Sequence, residues 1–344
     1  MYLLTENIYD MSHIISDNSR CGVIGYGSWA TALVHTLEKN KKEVWWHIRN
    51  EEVLESMDTE GRNAKYLSEL EFDTSIIHAT RSLDEVVKKC EIILVAAPSA
   101  FLKKIMEELT VSLEGKFILS ATKGIIPDEY TTITEYFNQI YSIPYSNLGV
   151  ISGPSHAEEV SRDKLSYLTV ACKSEDNAKL IGEMFNTSSV KISYSEDIYG
   201  IEYAGLLKNI YALAAGLAAG LGYGDNFRAV LTSSCARELK RFINESYPFD
   251  RDTTNSAYLG DLLVTSYSSF SRNRRLGQLI GHGCTVKSAL NEMTMVAEGY
   301  YAAACFKKIN EKHNIDMPIA DMVYDVLYRR CSPRKRMKEL TELL

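Results

Sequence analysis

Short apolar runs alternate with amphipathic segments along the first half of the chain. Uninterrupted apolar runs predict buried strands at 21–25, 43–48, 91–97, 116–122, 147–152 and 166–172. Between these runs apolar residues recur at helical spacing, and the predicted helices include 28–40, 99–110 and 174–186. Because apolar strands joined through helices are typical of a sheet covered on both faces, the pattern predicts a parallel α/β sheet.

The pattern changes close to residue 197, beyond which the sequence carries only helical periodicity. We therefore predict an α/β domain at residues 21–196, followed by an all-helical domain at residues 197–344. Residues 1–20 are polar and mixed, and we expect them to form a flexible extension.

The composition is that of a globular protein with an acidic balance. The 344 residues, of which 45% are hydrophobic and 24% charged, suffice for two cores. A formal net charge of -7 argues against general nucleic-acid binding, which needs a cationic surface. The seven cysteines form no C-x-x-C pair, so we expect reduced thiols, a cytoplasmic location and no metal site.

Neither a secretory signal nor a membrane span is predicted. Residues 1–20 lack a basic start followed by an apolar core. The most apolar stretch, residues 210–224, is shorter than the roughly 20 residues that a membrane-spanning helix needs.

A glycine motif lies between the first predicted strand and the first predicted helix. In "VIGYGSWATAL", Gly25 permits a tight turn, Gly27 lets a pyrophosphate approach the backbone, and Ala30 allows close packing of helix on strand. The free N–H groups of the helix N-terminus then face the phosphates. The motif and its strand–helix context predict dinucleotide binding.

The second predicted strand leaves the choice of dinucleotide open. This strand usually ends in an acid that bonds the ribose 2′-hydroxyl of NAD, but here it ends in "WWHIRN". Arg49 could instead pair with the 2′-phosphate of NADP. A solvated arginine is the alternative, so the cofactor is predicted only as NAD or NADP.

One lysine, Lys208, stands in an apolar helical segment without a carboxylate at helical spacing. It shares its face of the helix with small residues such as Ala204 and Ala212, and a helix that is apolar all round is buried. Burying an unpaired ammonium is costly, so we expect either a partner or a depressed pKa. Lys208 is therefore a candidate general base, with a purely structural ion pair as the alternative.

Polar and glycine residues follow two of the predicted strands. Lys123 comes just after the strand at 116–122, at the edge where doubly wound sheets bind ligands. Gly153 and Ser155 follow the strand at 147–152 and precede a helix. These residues are candidates for the same ligand site as the glycine motif.

A later stretch supplies an acid and a group of donors. Asp261 is a candidate partner for Lys208. Ser271, Arg272 and Asn273 place three donors on one turn, which suits an anionic phosphate. A basic surface turn is the alternative interpretation of the same residues.

Taken together, these stretches closely resemble the NAD(P)-dependent glycerol-3-phosphate dehydrogenases of the bacterial type. The resembling segments run in the family's order from about residue 21 to residue 303: "GYGSWATAL", "VAAPSAFL", "SATKGI", "SGPSHAEEV", "LLKNIYALAAGL", "GLGYGDN", "LGDLLVTSYSSFSRNRRLG" and "VAEGYYAA". The resemblance implies a Rossmann-type domain followed by a helical domain like the C-terminal domain of 6-phosphogluconate dehydrogenase. It also implies dihydroxyacetone phosphate and glycerol 3-phosphate as substrates, a homodimer, and a role in supplying glycerophospholipid synthesis.

The resemblance further implies a role for each matching residue. Lys208 would accept the proton in the oxidative direction, Lys123 would bridge cofactor and substrate, and Asp261 would complete the catalytic group. The implied cofactor contacts are Ser28, Trp29, Lys123, Ala157, Arg272, Val296 and Glu298. The implied substrate contacts are Lys123, Gly153, Ser155, Lys208, Asp261, Ser271, Arg272 and Asn273.

Two positions depart from the family's pattern. Ala219 stands where the family often has an acidic residue, and His156 stands where it often has phenylalanine. Neither is assigned to the chemistry, so the sequence predicts an active enzyme. Two alternatives stay open, a related hydroxy-acid or sugar-nucleotide dehydrogenase and a non-catalytic dinucleotide-binding sensor.

Overall fold

The computed structural model describes residues 15–293 and 295–344. An 8-stranded sheet has the order β3-β2-β1-β4-β5-β6-β7-β8. Its strands are β1 (Cys21–Ile24), β2 (Val44–His47), β3 (Ile77–Thr80), β4 (Ile92–Val95), β5 (Phe117–Ser120), β6 (Leu148–Ser152), β7 (Ser166–Cys172) and β8 (Val190–Ser195). The order from β3 to β6 is that of the doubly wound dinucleotide-binding fold, so the predicted Rossmann-type domain is confirmed.

Every strand predicted from an apolar run is present, with ends that are trimmed by a residue or more in most cases. The strands β3 and β8 are absent from the prediction, and both lie at the edges of the sheet. Along β8 only Val190 is buried, and the other positions are partly or fully exposed. A search for uninterrupted apolar runs therefore misses such an edge strand.

Helices flank the sheet, and apolar cores lie on its two faces. The helices are α1 (Ser28–Lys39), α2 (Glu51–Glu60), α3 (Leu83–Lys89), α4 (Ser99–Met106), α5 (Ile133–Tyr141), α6 (Ala157–Val160) and α7 (Glu175–Phe185). Val23 of β1 belongs to one core and its neighbour Ile24 to the other, as expected when successive side chains point to opposite faces.

One connection contradicts the prediction of a fully parallel sheet. β7 runs antiparallel to β6, with Gly149 opposite Cys172. The helix between them, α6, has 4 residues. Its rise of about 6 Å does not itself carry the chain back along the sheet. The chain therefore re-enters from the carboxyl edge, and the sheet is mixed.

The predicted flexible extension is only partly covered by the described residues. Ile15 is 1% exposed and lies in the core on one face of the sheet. The guanidinium of Arg20 pairs with the carboxylate of Glu91 at 3.0 Å. Ile15 and Arg20 thus contact the α/β part, whereas residues 1–14 lie outside the described residues.

Beyond Ser195 the described residues form helices and no strand, as the sequence predicts. The α-helices are α8 (Ile198–Gly220), α9 (Asp225–Ser246), α10 (Asp261–Tyr267), α11 (Arg272–Gly281), α12 (Val286–Glu292), α13 (Glu298–His313), α14 (Pro318–Tyr328) and α15 (Pro333–Thr341), with a π-helical turn at Ser256–Gly260. In the part of the chain that the structure describes, no helix is both long and apolar enough to cross a membrane.

Helix α8 lies at the centre of the helical part and is buried on all sides along most of its length. Its backbone touches that of α11. A Cβ atom at Gly277 would lie 2.2 Å from the carbonyl oxygen of Leu213, and one at Gly216 would lie 2.0 Å from that of Arg274. Because only glycine allows this approach, the start of α11 is held against the helix that carries Lys208.

Candidate active site

A cleft of about 520 Å³ lies between the carboxyl edge of the sheet and helices α8, α11 and α13. Its walls come from the segments that follow β1, β4, β5 and β6 and from the helical part. The predicted site residues that line it are Gly27, Ser28, Trp29, Lys123, Ser155, Ala157, Lys208, Ser271, Arg272, Asn273, Val296 and Glu298. The fold thus brings residues from both halves of the chain to one cavity.

The glycine loop after β1 has the geometry that a dinucleotide requires. Gly25 has φ +115°, and a Cβ atom there would lie 2.6 Å from the backbone nitrogen of Ala97. Gly27 borders open space, with nothing within 4 Å of an added Cβ. Helix α1 begins without a side-chain cap, so its first N–H groups are free for an anion. These residues therefore fit a pyrophosphate.

Trp29 and Lys123 form one wall of the cleft. The Trp29 indole donates a hydrogen bond to the carbonyl oxygen of Ala121 at 3.1 Å. The Lys123 ammonium lies 5.9 Å from the centre of the same indole ring, within cation–π range. These contacts hold Trp29 and the cation of Lys123 side by side.

A buried carboxylate joins two amines at the base of the cleft. Asp261, the first residue of α10, is 1% exposed. One of its oxygens accepts from Lys208, and the other accepts from Lys123 at 3.0 Å. The Lys208 amine also donates to the hydroxyl of Thr265 at 3.0 Å, and the Lys123 amine to the carbonyl of Gly153 at 2.8 Å.

Burial lowers the pKa of Lys208, because the charged ammonium loses its hydration. The carboxylate of Asp261 raises this pKa, while the charge of Lys123 lowers it again, and the net shift is downward. Two amines thus share one carboxylate in a poorly hydrated site. A lysine in this state exchanges a proton closer to neutral pH than an ordinary lysine does.

Two residues of this centre are absent from the sequence prediction, Thr265 and Asn209. Thr265 follows Asp261 by one helical turn and donates to its backbone carbonyl at 2.7 Å. That spacing was the available signal for Thr265, since residues four apart share a helix face. Asn209 stands next to Lys208 but points elsewhere, and its amide donates to the carbonyl of Lys123 at 3.0 Å.

A chain of amide hydrogen bonds ties helix α8 to α11 and α13. The Asn273 amide donates to the side-chain oxygen of Asn209 at 2.9 Å, and its own oxygen accepts from the Gly299 N–H at 2.9 Å. Ser271 caps α11 by accepting from the Arg274 N–H at 3.3 Å. The Ser271 and Asn273 side chains are therefore fixed from within the protein.

Arg272 and Glu298 both line the cleft, and their charges interact. Arg272 is exposed, whereas burial raises the pKa of Glu298 to about 7, with the charge of Arg272 opposing that rise. One oxygen of Glu298 accepts from the Ser99 N–H at 3.4 Å. The other oxygen is buried and has no partner among the described residues. A ligand that donates a hydrogen bond would satisfy it.

His156 lines the cleft next to Ala157. Burial lowers its pKa, and the nearby charge of Lys208 lowers it further. Its ring centre lies 5.8 Å from that of Phe270. The imidazole is therefore neutral at pH 7 and acts as an aromatic wall.

The structure does not bring Arg49 to the cleft. Its guanidinium pairs with the carboxylate of Glu108 at 2.8 Å, outside the cavity. A contact between Arg49 and a cofactor phosphate stays a prediction. Gly25, Gly153 and Asp261 also lie outside the cavity wall, directly behind residues that form it.

Two family models match almost the whole chain. The model described as NAD-dependent glycerol-3-phosphate dehydrogenase N-terminus covers residues 20–178, and that described as its C-terminus covers residues 197–338. A solved structure of glycerol-3-phosphate dehydrogenase from Coxiella burnetii is 28% identical, with a TM-score of 0.87, and the match covers 95% of this chain and 100% of that chain.

Curated relatives carry the same name. Glycerol-3-phosphate dehydrogenase, NAD(P)+, from Staphylococcus carnosus is 34% identical over 326 residues, which are 94% of this chain and 97% of the relative. A relative of that name from Salinibacter ruber is 33% identical over 320 residues, which are 92% and 93% of the two chains. Fold and family together imply NAD or NADP as cofactor. This chain belongs to the NAD-dependent glycerol-3-phosphate dehydrogenase family.

Proposed function

We propose that the protein reversibly reduces dihydroxyacetone phosphate to sn-glycerol 3-phosphate with NAD(P)H. The observation that carries this proposal is the position of Lys208, a buried amine with a lowered pKa that opens onto a cleft lined by a dinucleotide loop. A proton donor there would face a carbonyl carbon placed next to the bound cofactor.

When bound, NAD(P)H supplies a hydride to C2 of the substrate carbonyl. Negative charge then develops on the carbonyl oxygen, and the Lys208 ammonium donates its proton to that oxygen. In the oxidative direction the neutral amine of Lys208 takes the proton of the C2 hydroxyl. General acid–base help of this kind contributes roughly 10²–10⁴-fold to the rate.

The neighbours of Lys208 would prepare it for this exchange. Asp261 orients the amine through its hydrogen bond and offsets part of the cost of burying a cation. Lys123 binds the other carboxylate oxygen, and its charge would attract both cofactor and substrate. Lys123, Lys208 and Asp261 are thus the proposed catalytic group.

The remaining cleft residues would bind the two ligands. Arg272 is the proposed main contact for the substrate phosphate, and phosphate binding would place C2 for reaction. The other proposed substrate residues are Gly153, Ser155, Ser271 and Asn273. The proposed cofactor residues are Gly25, Gly27, Ser28, Trp29, Arg49, Lys123, Ala157, Arg272, Val296 and Glu298.

The organisation of the chain supports a further part of the proposal. We infer a cofactor domain at residues 21–196 and a substrate domain at residues 197–344, because β8 ends at Ser195 and α8 begins at Ile198. Assembly as a homodimer, a cytoplasmic location and the supply of glycerophospholipid synthesis belong to the same proposal through the family resemblance.

Initial rates of NADH and NADPH oxidation test the reaction. Dihydroxyacetone phosphate should be reduced far faster than dihydroxyacetone, which has no anionic group for Arg272, or a 2-keto acid, whose carboxylate is attached directly to the carbonyl carbon and cannot reach Arg272 with that carbon at Lys208. A faster 2-keto acid would identify a hydroxy-acid dehydrogenase instead. Cofactor binding without turnover of any substrate would identify a sensor.

Two variants make this test specific to the phosphate site. Arg272→Gln should raise KM for dihydroxyacetone phosphate at least tenfold, the scale of one charge-assisted phosphate contact. Arg275→Gln on the same helix is the matched control, since Arg275 is exposed and lies outside the cleft. Equal effects of the two substitutions would contradict the assignment of Arg272.

A further inference from the structure

A charged pair occupies the place where dinucleotide folds distinguish NAD from NADP. In the parallel register His47 of β2 lies opposite Ile24 of β1, so Arg49 follows β2 beside the start of the glycine loop. In this fold the residue about 20 positions after the loop meets the adenosine ribose. The charge around Arg49 therefore bears on the group carried at the ribose 2′ position.

Arg49 is paired with an acid from a different part of the chain. Glu108, which follows α4, accepts from its guanidinium at 2.8 Å, and the two side chains are 33% and 43% exposed. The next strand repeats the arrangement, since Arg81 after β3 lies 3.5 Å from Glu51. Each of these two arginines is thus paired with a glutamate.

The two cofactors make opposite demands on such a site. The 2′-hydroxyl of NADH is neutral and leaves the Arg49–Glu108 pair intact. The 2′-phosphate of NADPH carries about -1.5 to -2 charges near neutral pH, as other phosphate monoesters do. To pair with it, Arg49 must share its guanidinium between the phosphate and Glu108 or leave Glu108, and either way the Glu108 carboxylate lies beside the phosphate.

We infer that Glu108 is a specificity-determining residue that disfavours NADPH, so that NADH is the preferred cofactor. The inference rests on the proposed function, because it takes the glycine loop to bind NAD(P). Glu108 acts by occupying Arg49 and by repelling the 2′-phosphate. It supplies, from the segment after α4, the negative charge that the end of β2 lacks.

Equilibrium binding of NADH and NADPH, measured by titration calorimetry without substrate, tests this inference. The wild type should bind NADH more tightly. Glu108→Gln should lower the NADPH Kd about fivefold to tenfold while leaving the NADH Kd unchanged, the range for removing one repulsive, partly exposed charge. The gain should shrink at high ionic strength, because salt screens exposed charges.

Two further variants show whether the effect passes through Arg49. Glu107→Gln removes an adjacent exposed carboxylate that forms no ion pair among the described residues, and it should leave both Kd values unchanged. Arg49→Gln combined with Glu108→Gln should lose the NADPH gain. Adenosine 2′,5′-bisphosphate and 5′-AMP should reproduce the pattern, since they differ only at the 2′ position.

The outcomes separate this inference from the proposed function. Wild-type preference for NADPH, equal binding of both cofactors, or an equal effect of Glu107→Gln would overturn the role of Glu108 and leave the dehydrogenase proposal standing. Failure of the wild type to bind either dinucleotide would overturn the proposed function itself.

Discussion

Lys208 and Asp261 meet in the interior of the protein although 53 residues separate them in sequence. The helix that carries the amine is buried on all sides, and the acid begins a different helix packed against it. Each group alone would be too costly to bury, and together with Lys123 they form a buried, hydrogen-bonded ion cluster. This cluster is the feature from which the proposed chemistry follows.

Substitution of the Lys208 amine should remove catalysis and spare cofactor binding. Lys208→Met keeps the length of the side chain but cannot exchange a proton, so kcat should fall about 10²–10⁴-fold. The NADH Kd should stay near the wild-type value, because the proposed pyrophosphate contacts lie in the glycine loop. Stopped-flow turnover and fluorescence titration measure the two quantities, and near-normal turnover would remove Lys208 from the mechanism.

The rate of glycerol 3-phosphate oxidation should rise with pH through the pKa of Lys208. Because burial lowers this pKa, the inflection should lie well below the value of about 10.4 for an exposed lysine. Asp261→Asn removes the charge that raises the pKa, so the inflection should move to still lower pH. Profiles of kcat/KM against pH check both statements, and an inflection near 10 would contradict the first.

Alanine substitutions at the two glycines of the dinucleotide loop should have different effects, one on cofactor binding and the other on stability. Gly27→Ala adds a Cβ to open space at an ordinary backbone angle, so the melting temperature should hold while the NADH Kd rises about tenfold or more. Gly25→Ala places a Cβ against the backbone after β4 and should lower the melting temperature. Unchanged NADH affinity in Gly27→Ala would contradict pyrophosphate binding at this loop.

A buried acid outside the cleft should make stability depend on pH. Burial raises the pKa of Glu202 to about 7, although it accepts from the N–H of Thr134 at 3.1 Å. The folded state then holds a proton that the unfolded chain releases near pH 4.3. The contribution of protonated Glu202 to the free energy of unfolding is complete below that pH and is lost as the pH rises through about 7.

Glu202→Gln should therefore flatten the fall in melting temperature between acidic and mildly alkaline pH. The free-energy difference at stake is at most roughly 3–4 kcal/mol, the equivalent of the shift in pKa. Glu183→Gln, which alters an exposed acid, is the control. The same pH dependence in Glu202→Gln and the wild type would show that Glu202 does not titrate in this range.

Much of the fold could be predicted from hydrophobic periodicity, because the central strands and α8 are buried on all sides. Edge strand β8 could not be predicted from an apolar run, since most of its positions are exposed. The direction of β7 could not be predicted either, because an apolar run does not show from which edge of the sheet the chain enters the strand.

The candidate site was predictable where local rules apply and not where distant segments meet. The helical wheel predicted that Lys208 points inward, and the glycine motif predicted the loop after β1. The pairing of Arg49 with Glu108 depends on how the chain after α4 lies against β2, which no local pattern encodes. Asn209 was missed because its amide donates a hydrogen bond to the backbone carbonyl of Lys123, which lies in the other half of the chain.

The central claim is that the Lys208 amine exchanges a proton with the oxygen on C2 of the substrate. A crystal structure of the complex with NADH and glycerol 3-phosphate measures that relationship directly. The account predicts a distance of about 3 Å between Lys208 Nζ and the C2 oxygen, within hydrogen-bond range. An amine turned toward solvent, with another side chain bonded to that oxygen, would contradict it.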